Sequence, residues 1–249
     1  MEYLSTYEQG GIGTLVLNRG KVNALIDETV KEMHNTLYEF QMNPDIKAVI
    51  VTGKGKFFSF GFDVPEFLSY SKEEFTDFLI KFTDLYTTMF MYPKPIVAAL
   101  NGHTIAGGCM LALACDRRIM VSGKARISLN EIDFGSSVFA GSTEMLRFWV
   151  GDKNATAILS SGAMYSAEEA EKLGLIDQAV TEENLIPAAL DKALELGKKY
   201  NPAFAGIKSL LRKSIVENMK SREHKSIAEF VEIWYSDHTW ENLKNIKIH

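Results

Sequence analysis

Two segments of the chain could present backbone N–H groups to a ligand. Residues 57–63 (FFSFGFD) and residues 101–110 (NGHTIAGGCM) each follow an apolar run of strand length. Gly107 and Gly108 stand where a helix is predicted to begin, so a ligand oxygen could approach the free N–H groups and positive dipole of the helix N-terminus. Two such amides directed at one carbonyl oxygen would form an oxyanion hole, worth about 3 kcal/mol per donor. Taken alone, each segment is more typical of tight helix–strand packing.

One carboxylate is a candidate acid or base. Glu131 lies in residues 127–135 (ISLNEIDFG), just after a short predicted strand. Taken in isolation it would be a solvated surface group, as most glutamates are. Asp133 and Glu144 lie nearby in the sequence and are alternative acid/base groups, although the field of a helix start is a simpler explanation for Glu144. The five histidines and two cysteines lack metal-ligand spacing, so no metal site is predicted.

Alternating strands and helices must position these segments. Apolar runs predict strands at residues 13–18, 48–52, 96–100, 118–121, 125–128 and 175–180. Helical periodicity predicts helices at residues 27–42 (with Asp27 as the N-cap), 71–91 and 108–115, and a helical pattern from 142 onwards. The last of these helices are predicted at residues 182–199 and 202–218 and from 222 to the end. The predicted fold class is therefore α/β, with one core domain and a helical C-terminal region.

Composition and charge exclude several classes of function. The chain has 249 residues, 46% of them hydrophobic, and a net charge of −5, which does not favour a nucleic-acid surface but leaves a local basic pocket for an anionic ligand open. No apolar run reaches the length of a membrane span, so no membrane partner is expected. The first residues (MEYLSTYEQG) lack the basic and apolar regions of a signal peptide, which favours a cytoplasmic protein.

The segments become specific when they are read together. Residues 94–120 (KPIVAALNGHTIAGGCMLALACDRRIM) closely resemble the signature stretch of the crotonase (enoyl-CoA hydratase/isomerase) superfamily. Residues 57–63 resemble its first oxyanion loop, residues 22–25 (VNAL) its CoA-lining segment, residues 127–135 its active-site loop, and residues 161–180 the segment that follows. These matches occur in the family's order and extend over most of the chain.

The resemblance implies a fold, a ligand and an assembly. It implies a spiral of repeated ββα turns that binds acyl-CoA, assigned to residues 1–195, and a helical C-terminal region, residues 196–249, that assembles subunits or covers the active site. Homotrimers or hexamers are typical of the family. CoA belongs to the thioester substrate, so no separate cofactor is expected. The oxyanion positions fall on the backbone N–H groups of Phe62 and Gly107, and the Phe62 ring could also line the acyl pocket. The residues that the resemblance assigns to substrate or CoA binding are Ala24, Phe60, Gly61, Asp63, Ile105 and Met110.

One departure from the hydratase pattern decides the predicted reaction. Hydratases of the family carry two glutamates, and the first stands where this chain has Met110, whose thioether cannot transfer a proton. The second corresponds to Glu131. This combination resembles the Δ3,Δ2-enoyl-CoA isomerases, in which one carboxylate moves a proton from C2 to C4. The prediction is therefore an enoyl-CoA isomerase with Glu131 as its catalytic residue.

Other functions stay open from the sequence. A thioester hydrolase or a decarboxylase could also use an oxyanion hole with one carboxylate or none. A hydratase is a weaker alternative because Met110 removes one of its acid/base groups. A protein of another class, one that binds acyl-CoA without catalysis, need not keep Glu131. Fold alone would not separate these alternatives.

Overall fold

The computed structural model describes residues 2–246 as two sheets surrounded by helices. In chain order the strands are β1 (Leu4–Gln9), β2 (Ile12–Leu17), β3 (Ala48–Gly53), β4 (Phe57–Ser59), β5 (Ile96–Leu100), β6 (His103–Ile105), β7 (Arg117–Val121), β8 (Ile127–Ser128) and β9 (Gln178–Val180). The helices are α1 (Asp27–Met42), α2 (Val64–Phe67), α3 (Lys72–Phe90), α4 (Gly107–Ala114), α5 (Ala140–Ser161), α6 (Ala167–Leu173), α7 (Glu182–Gly197), α8 (Asn201–Trp234) and α9 (Asp237–Leu243). A 3₁₀ turn, η1, covers Glu131–Phe134.

The strands follow a repeated ββα pattern. The larger sheet has the order β1-β2-β3-β5-β7-β9 and is parallel except for the β1–β2 pair. The smaller sheet has the parallel order β4-β6-β8. Each turn of chain from β3 to α6 thus adds one strand to the larger sheet, the next strand to the smaller sheet, and then helical structure, and β9 completes the larger sheet. The predicted α/β class and ββα spiral are confirmed.

Both faces of the larger sheet are covered. Strands β3 and β5 are apolar and almost entirely buried, as expected for parallel strands between helical layers. On one face α7 packs Leu185, Ala189 and Ala193 against the sheet. The other face belongs to the main core, which also receives α1, α3 and α4. Because helices pack on both faces of the sheet, the loops at its strand ends are held in place.

Helix α3 supplies an aromatic wall. Its N-terminus is a capping box in which the Ser71 hydroxyl accepts from the Glu74 N–H and the Glu74 carboxylate accepts from the Ser71 N–H. The helical period then places Phe75, Phe78 and Phe82 on the buried face. All three rings lie edge-on to Phe62, with centroids between 4.9 and 6.5 Å away. These contacts fix the side chain of a predicted oxyanion residue.

The C-terminal region differs from the prediction. The expected break between residues 218 and 222 is wrong, because α8 runs without interruption from Asn201 to Trp234. The polar segment near residue 220 is only the exposed face of a continuing helix. The buried face proceeds through Val216, Met219, Glu223, Ile227 and Phe230 at helical spacing. The assignment of residues 1–195 and 196–249 to separate regions stays a prediction, and residues 247–249 lie outside the described part of the chain.

A buried ion cluster joins α8 to the larger sheet. Asp116 accepts from Lys208 Nζ at 2.7 Å and from Arg212 Nη2 at 3.0 Å, and all three side chains are buried. The same carboxylate accepts from the Ile96 N–H at the start of β5. A buried charge left without its partner is costly, so this cluster fixes where the first half of α8 lies.

Three smaller differences have local causes. Asp27 is the first residue of α1 and pairs with Lys81, while Ile26 occupies the cap position. The sequence predicts a loop at residues 57–59. The structure instead forms strand β4 there, because these three residues pair with β6, which is distant in the sequence. Strand β1 lies at the sheet edge and is mostly solvent-accessible, so it lacks an apolar run. No helix within residues 2–246 is both long enough and apolar enough to cross a bilayer.

Candidate active site

A largely apolar cavity of about 220 Å³ lies where the predicted site segments meet. The first loop, the start of α4, η1 and the C-terminal region all contribute to its wall. The lining residues are Phe60, Phe62, Val64, Ile105, Ala106, Gly107, Met110, Asn130, Glu131, Asp133, Phe134, Phe139, Phe230, Trp234 and Ile246. The structure thus brings the predicted oxyanion residues and the predicted base into one pocket.

The first oxyanion loop is held by hydrogen bonds to residues 23–25. Gly61 has φ +93°, a conformation that suits glycine, and its N–H donates to Ser59 Oγ. The Ser59 hydroxyl donates to the Asn23 carbonyl at 2.8 Å. The Leu25 N–H donates to the Gly61 carbonyl at 2.7 Å. These bonds present the neighbouring Phe62 amide at the cavity in a fixed orientation.

The second oxyanion loop ends in a strained residue. Ala106 precedes α4 with φ +49° and ψ −119°, an unusual conformation for a residue with a side chain. Its N–H donates to the Ser128 carbonyl at 2.9 Å, and its carbonyl accepts from the Met110 N–H. The strain places the Gly107 amide at the free N-terminus of the helix. Within the described residues neither Phe62 nor Gly107 donates its amide N–H to a protein acceptor outside regular helix or strand bonding.

The two loops approach so closely that both need glycine. A Cβ atom on Gly61 would lie 3.0 Å from the Gly107 nitrogen. A Cβ atom on Gly107 would lie 3.0 Å from the Phe62 ring and 3.5 Å from Gly61 Cα. The two backbones therefore approach closely, and the residues that carry the two predicted oxyanion amides, Phe62 and Gly107, both line the cavity. This arrangement can receive one carbonyl oxygen.

Glu131 is buried in the cavity wall without a polar partner. Its residue is 4% exposed, and neither carboxylate oxygen has a hydrogen-bond partner among the described residues. Burial away from water disfavours the charged carboxylate and raises the pKa of Glu131 to about 8. A carboxyl group with this pKa can accept and return a proton near neutral pH.

The other acidic candidates are placed less favourably. Asp133 lies in the wall but is exposed to solvent. Glu144 is outside the lining set and accepts from Arg222 at 2.8 Å and from Arg147 at 3.1 Å. Its carboxylate is thus engaged in two ion pairs away from the cavity wall, where it cannot reach a ligand in the pocket. Met110 stands in the wall, where its side chain adds apolar surface.

The remaining predicted binding residues divide into two groups. Phe60 and Ile105 line the cavity, whereas Ala24, Gly61 and Asp63 are not part of the lining set. Asp63 caps α2 by accepting from the Glu66 N–H and also accepts from Arg19 Nη1 at 2.6 Å. The same guanidinium donates to the Ala24 carbonyl at 3.3 Å. Arg19, which the sequence reasoning missed, therefore ties the two segments together.

For the C-terminal part of the wall the sequence predicts apolar residues, among them Phe230 and Trp234, that need a partner surface in the same core or in another subunit. Phe230 and Trp234 of α8, and Ile246 beyond α9, line the cavity. The sequence contained a signal, because the apolar residues of this region need a partner surface. It could not identify that surface as the pocket of the same chain.

The fold and the site together define a class of protein. The structure matches crotonase-fold proteins over almost its whole length. Human mitochondrial Δ3,Δ2-enoyl-CoA isomerase superimposes with a TM-score of 0.93 at 24% identity, over 97% of this chain and 95% of that one. An enoyl-CoA hydratase from Bacillus halodurans superimposes with a TM-score of 0.89 at 25% identity, over 98% and 100% of the two chains.

The sequence comparisons identify the family. The chain belongs to the enoyl-CoA hydratase/isomerase family, whose model matches residues 7–244. A probable mitochondrial enoyl-CoA hydratase from Dictyostelium discoideum is 34% identical over 193 residues, which cover 76% of this chain and 68% of the relative. A probable enoyl-CoA hydratase from Bacillus subtilis is 28% identical over 235 residues, or 94% and 91% of the two chains. The family acts on acyl-CoA thioesters.

The raised pKa of Glu131 predicts a pH dependence. If Glu131 acts as a base, kcat/KM should rise about tenfold per pH unit below pH 8 and level off above it, because only the ionised carboxylate removes a proton. Steady-state rates with a 3-enoyl-CoA at constant ionic strength measure this profile. The affinity for free CoA, followed over the same range, serves as the control. A kcat/KM that stays constant from pH 6 to 9 would contradict the role of Glu131.

Proposed function

We propose that this protein is a Δ3,Δ2-enoyl-CoA isomerase. The observation that carries the proposal is the single buried carboxyl group, Glu131, in an apolar cavity beside the Phe62 and Gly107 amides. Moving a double bond adds no water, so one proton-transferring group is enough. The apolar wall keeps water away from a reactive enolate.

The proposed reaction uses Glu131 twice. The ionised carboxylate removes a proton from C2 of a 3-enoyl thioester, and the electrons of that C–H bond form an enolate. The Phe62 and Gly107 N–H groups donate to the enolate oxygen. The protonated Glu131 then delivers its proton to C4 while the double bond forms between C2 and C3. Atoms and charge balance without a cofactor, since CoA is part of the substrate.

We assign the first oxyanion loop, and the residues that hydrogen-bond to it, to binding of the thioester and CoA parts of the substrate. Phe60 and Ile105 lie in the same wall as the two amides, which supports a role in holding the acyl group. Ala24, Gly61 and Asp63 belong to a hydrogen-bonded unit behind that wall, so we propose that they support the CoA-binding segment. The cytoplasmic location stays a prediction.

Hydration is the second candidate function, because several relatives are named enoyl-CoA hydratases. Water addition in the family's pattern needs a second carboxylate at the position of Met110. The thioether gives water no strong hydrogen bond. Asp133 is the other carboxylate of the wall, and its exposed position makes it a poor substitute.

The Glu131→Gln variant tests the proposed base. It keeps the shape of the side chain and removes its basicity, so kcat should fall by at least about two orders of magnitude. KM should change little, because the thioester oxygen is held by backbone amides. The assay follows the conjugated 2-enoyl thioester that forms from a 3-enoyl-CoA.

The Glu144→Gln variant is the matched control, since this glutamate is also buried but lies outside the cavity wall. It should retain isomerase turnover. If Glu131→Gln turns over like the wild-type protein, Asp133 becomes the candidate base. If the wild-type protein isomerises no 3-enoyl-CoA, a thioester hydrolase, a decarboxylase or a non-catalytic acyl-CoA-binding protein becomes the better proposal.

The missing first glutamate predicts negligible hydration of crotonyl-CoA. The loss of the conjugated thioester absorbance, measured with the wild-type protein, gives the rate directly. Met110→Glu should raise that rate above the wild-type background, because it restores a second carboxylate in the wall. A wild-type rate equal to that of a dedicated hydratase would reject the isomerase assignment.

We also propose a homo-oligomer, a trimer or a hexamer. Ile207, Leu210 and Leu211 form an exposed apolar stripe on α8, and Leu210 is 87% exposed. Covering such a stripe with another subunit removes apolar surface from water. Light scattering at micromolar concentration should give three or six times the mass of the chain. Leu210→Lys should lower that mass, and Lys213→Leu, a change at an exposed polar position of the same helix, should leave it unchanged. A monomeric wild-type protein would contradict the proposal.

A further inference from the structure

The turn that follows the proposed base is closed by Gly135. This residue ends η1 with φ +82°, and its N–H donates to the Ile132 carbonyl at 3.1 Å. The Ser136 N–H then donates to the Glu131 carbonyl at 2.9 Å. The backbone of Glu131 is therefore held within a compact turn.

Helix α9 is attached to this turn by two side chains. Thr239 Oγ1 donates to the Gly135 carbonyl at 2.6 Å, and Thr239 is 1% exposed. Asn242 Nδ2 donates to the Phe134 carbonyl at 3.2 Å. A Cβ on Gly135 would lie 3.0 Å from the His238 ring, so α9 and the turn are in close contact.

The Glu131 carboxylate accepts no hydrogen bond from any other residue among residues 2–246. Its oxygens lack hydrogen-bond partners among the described residues, so its position depends on its own backbone and on apolar packing. The bond from Thr239 reaches that backbone within four residues of the base. The bond is part-buried and its donor, Thr239, is buried, so breaking it would leave that hydroxyl away from water with one partner fewer.

We infer that Thr239 is a positioning residue for catalysis, because its hydrogen bond to the Gly135 carbonyl fixes the turn that carries Glu131. This inference rests on the proposed function, in which Glu131 is the base. The hydroxyl touches neither the substrate nor the reacting atoms. It acts through the backbone, and a small displacement of a catalytic group has a large effect on rate. Helix α9 is thereby part of the catalytic apparatus.

The Thr239→Val variant keeps the shape of the side chain and deletes the donor. We expect kcat for 3-enoyl-CoA isomerisation to fall about tenfold or more, with KM within about twofold of wild type, since the base is displaced while the oxyanion hole is intact. Thr239→Ser restores the hydroxyl and should recover most of the rate. Thr156→Val is the matched control, because that exposed hydroxyl donates only to the Asp152 carbonyl of its own helix.

Thermal unfolding and circular dichroism of each variant separate positioning from a loss of fold. If Thr239→Val fails to fold, Asn242→Ala removes the neighbouring bond to the Phe134 carbonyl and should lower kcat in the same direction. The inference is overturned if folded Thr239→Val matches Thr156→Val in kcat, or if Thr239→Ser is as slow as Thr239→Val. Glu131→Gln distinguishes the two proposals. An inactive Glu131→Gln beside a fully active Thr239→Val rejects the positioning role alone, whereas an active Glu131→Gln rejects the proposed base.

Discussion

A buried carboxyl group without a polar partner is the constraint on which the site depends. Glu131 would be more stable in water or beside a cation, and the fold gives it neither. Its pKa in the folded protein, about 8, is above that of an exposed glutamate, so the folded state holds its proton more tightly than the unfolded state does. The folded state therefore loses stability as the pH rises from the ordinary carboxyl pKa towards 8. The surrounding core must offset this loss of stability, so that Glu131 can keep a pKa near neutral pH.

The two oxyanion loops also contain backbone groups in unfavourable states. Among residues 2–246, Phe62 and Gly107 donate their amide N–H groups to no backbone acceptor outside regular helix or strand bonding, and Ala106 adopts a strained conformation immediately before the second amide. Hydrogen bonds from the segments behind the wall hold both loops, and the aromatic rings of α3 hold the Phe62 side chain. The unfavourable features at the cavity are thus offset by the hydrogen-bonded and well-packed structure behind its wall.

Much of this could be predicted from the sequence, for a physical reason. Buried parallel strands are continuous apolar runs, so the sequence predicts β3 and β5, and Gly107 and Gly108 indicate a helix start that a ligand can approach closely. The contributions of distant segments could not be predicted in the same way. Strand β4 exists because it pairs with β6, and Trp234 reaches the cavity because the Asp116 cluster fixes the direction of α8. The pairing of Glu144 with Arg222 could not be predicted either, since Arg222 lies 78 residues further along the chain.

The uninterrupted course of α8 has a mechanical consequence. Its exposed apolar stripe near Leu210 and its cavity-lining residues near Trp234 lie on one continuous helix, and 24 residues of helix separate them by about 36 Å. A tilt of about 3° at the stripe would displace the far end by about 2 Å, roughly the width of a methylene group. Helix α8 therefore connects the exposed stripe at the molecular surface to the wall of the pocket. The position of its first half is thereby linked to that of the cavity-lining residues Phe230 and Trp234.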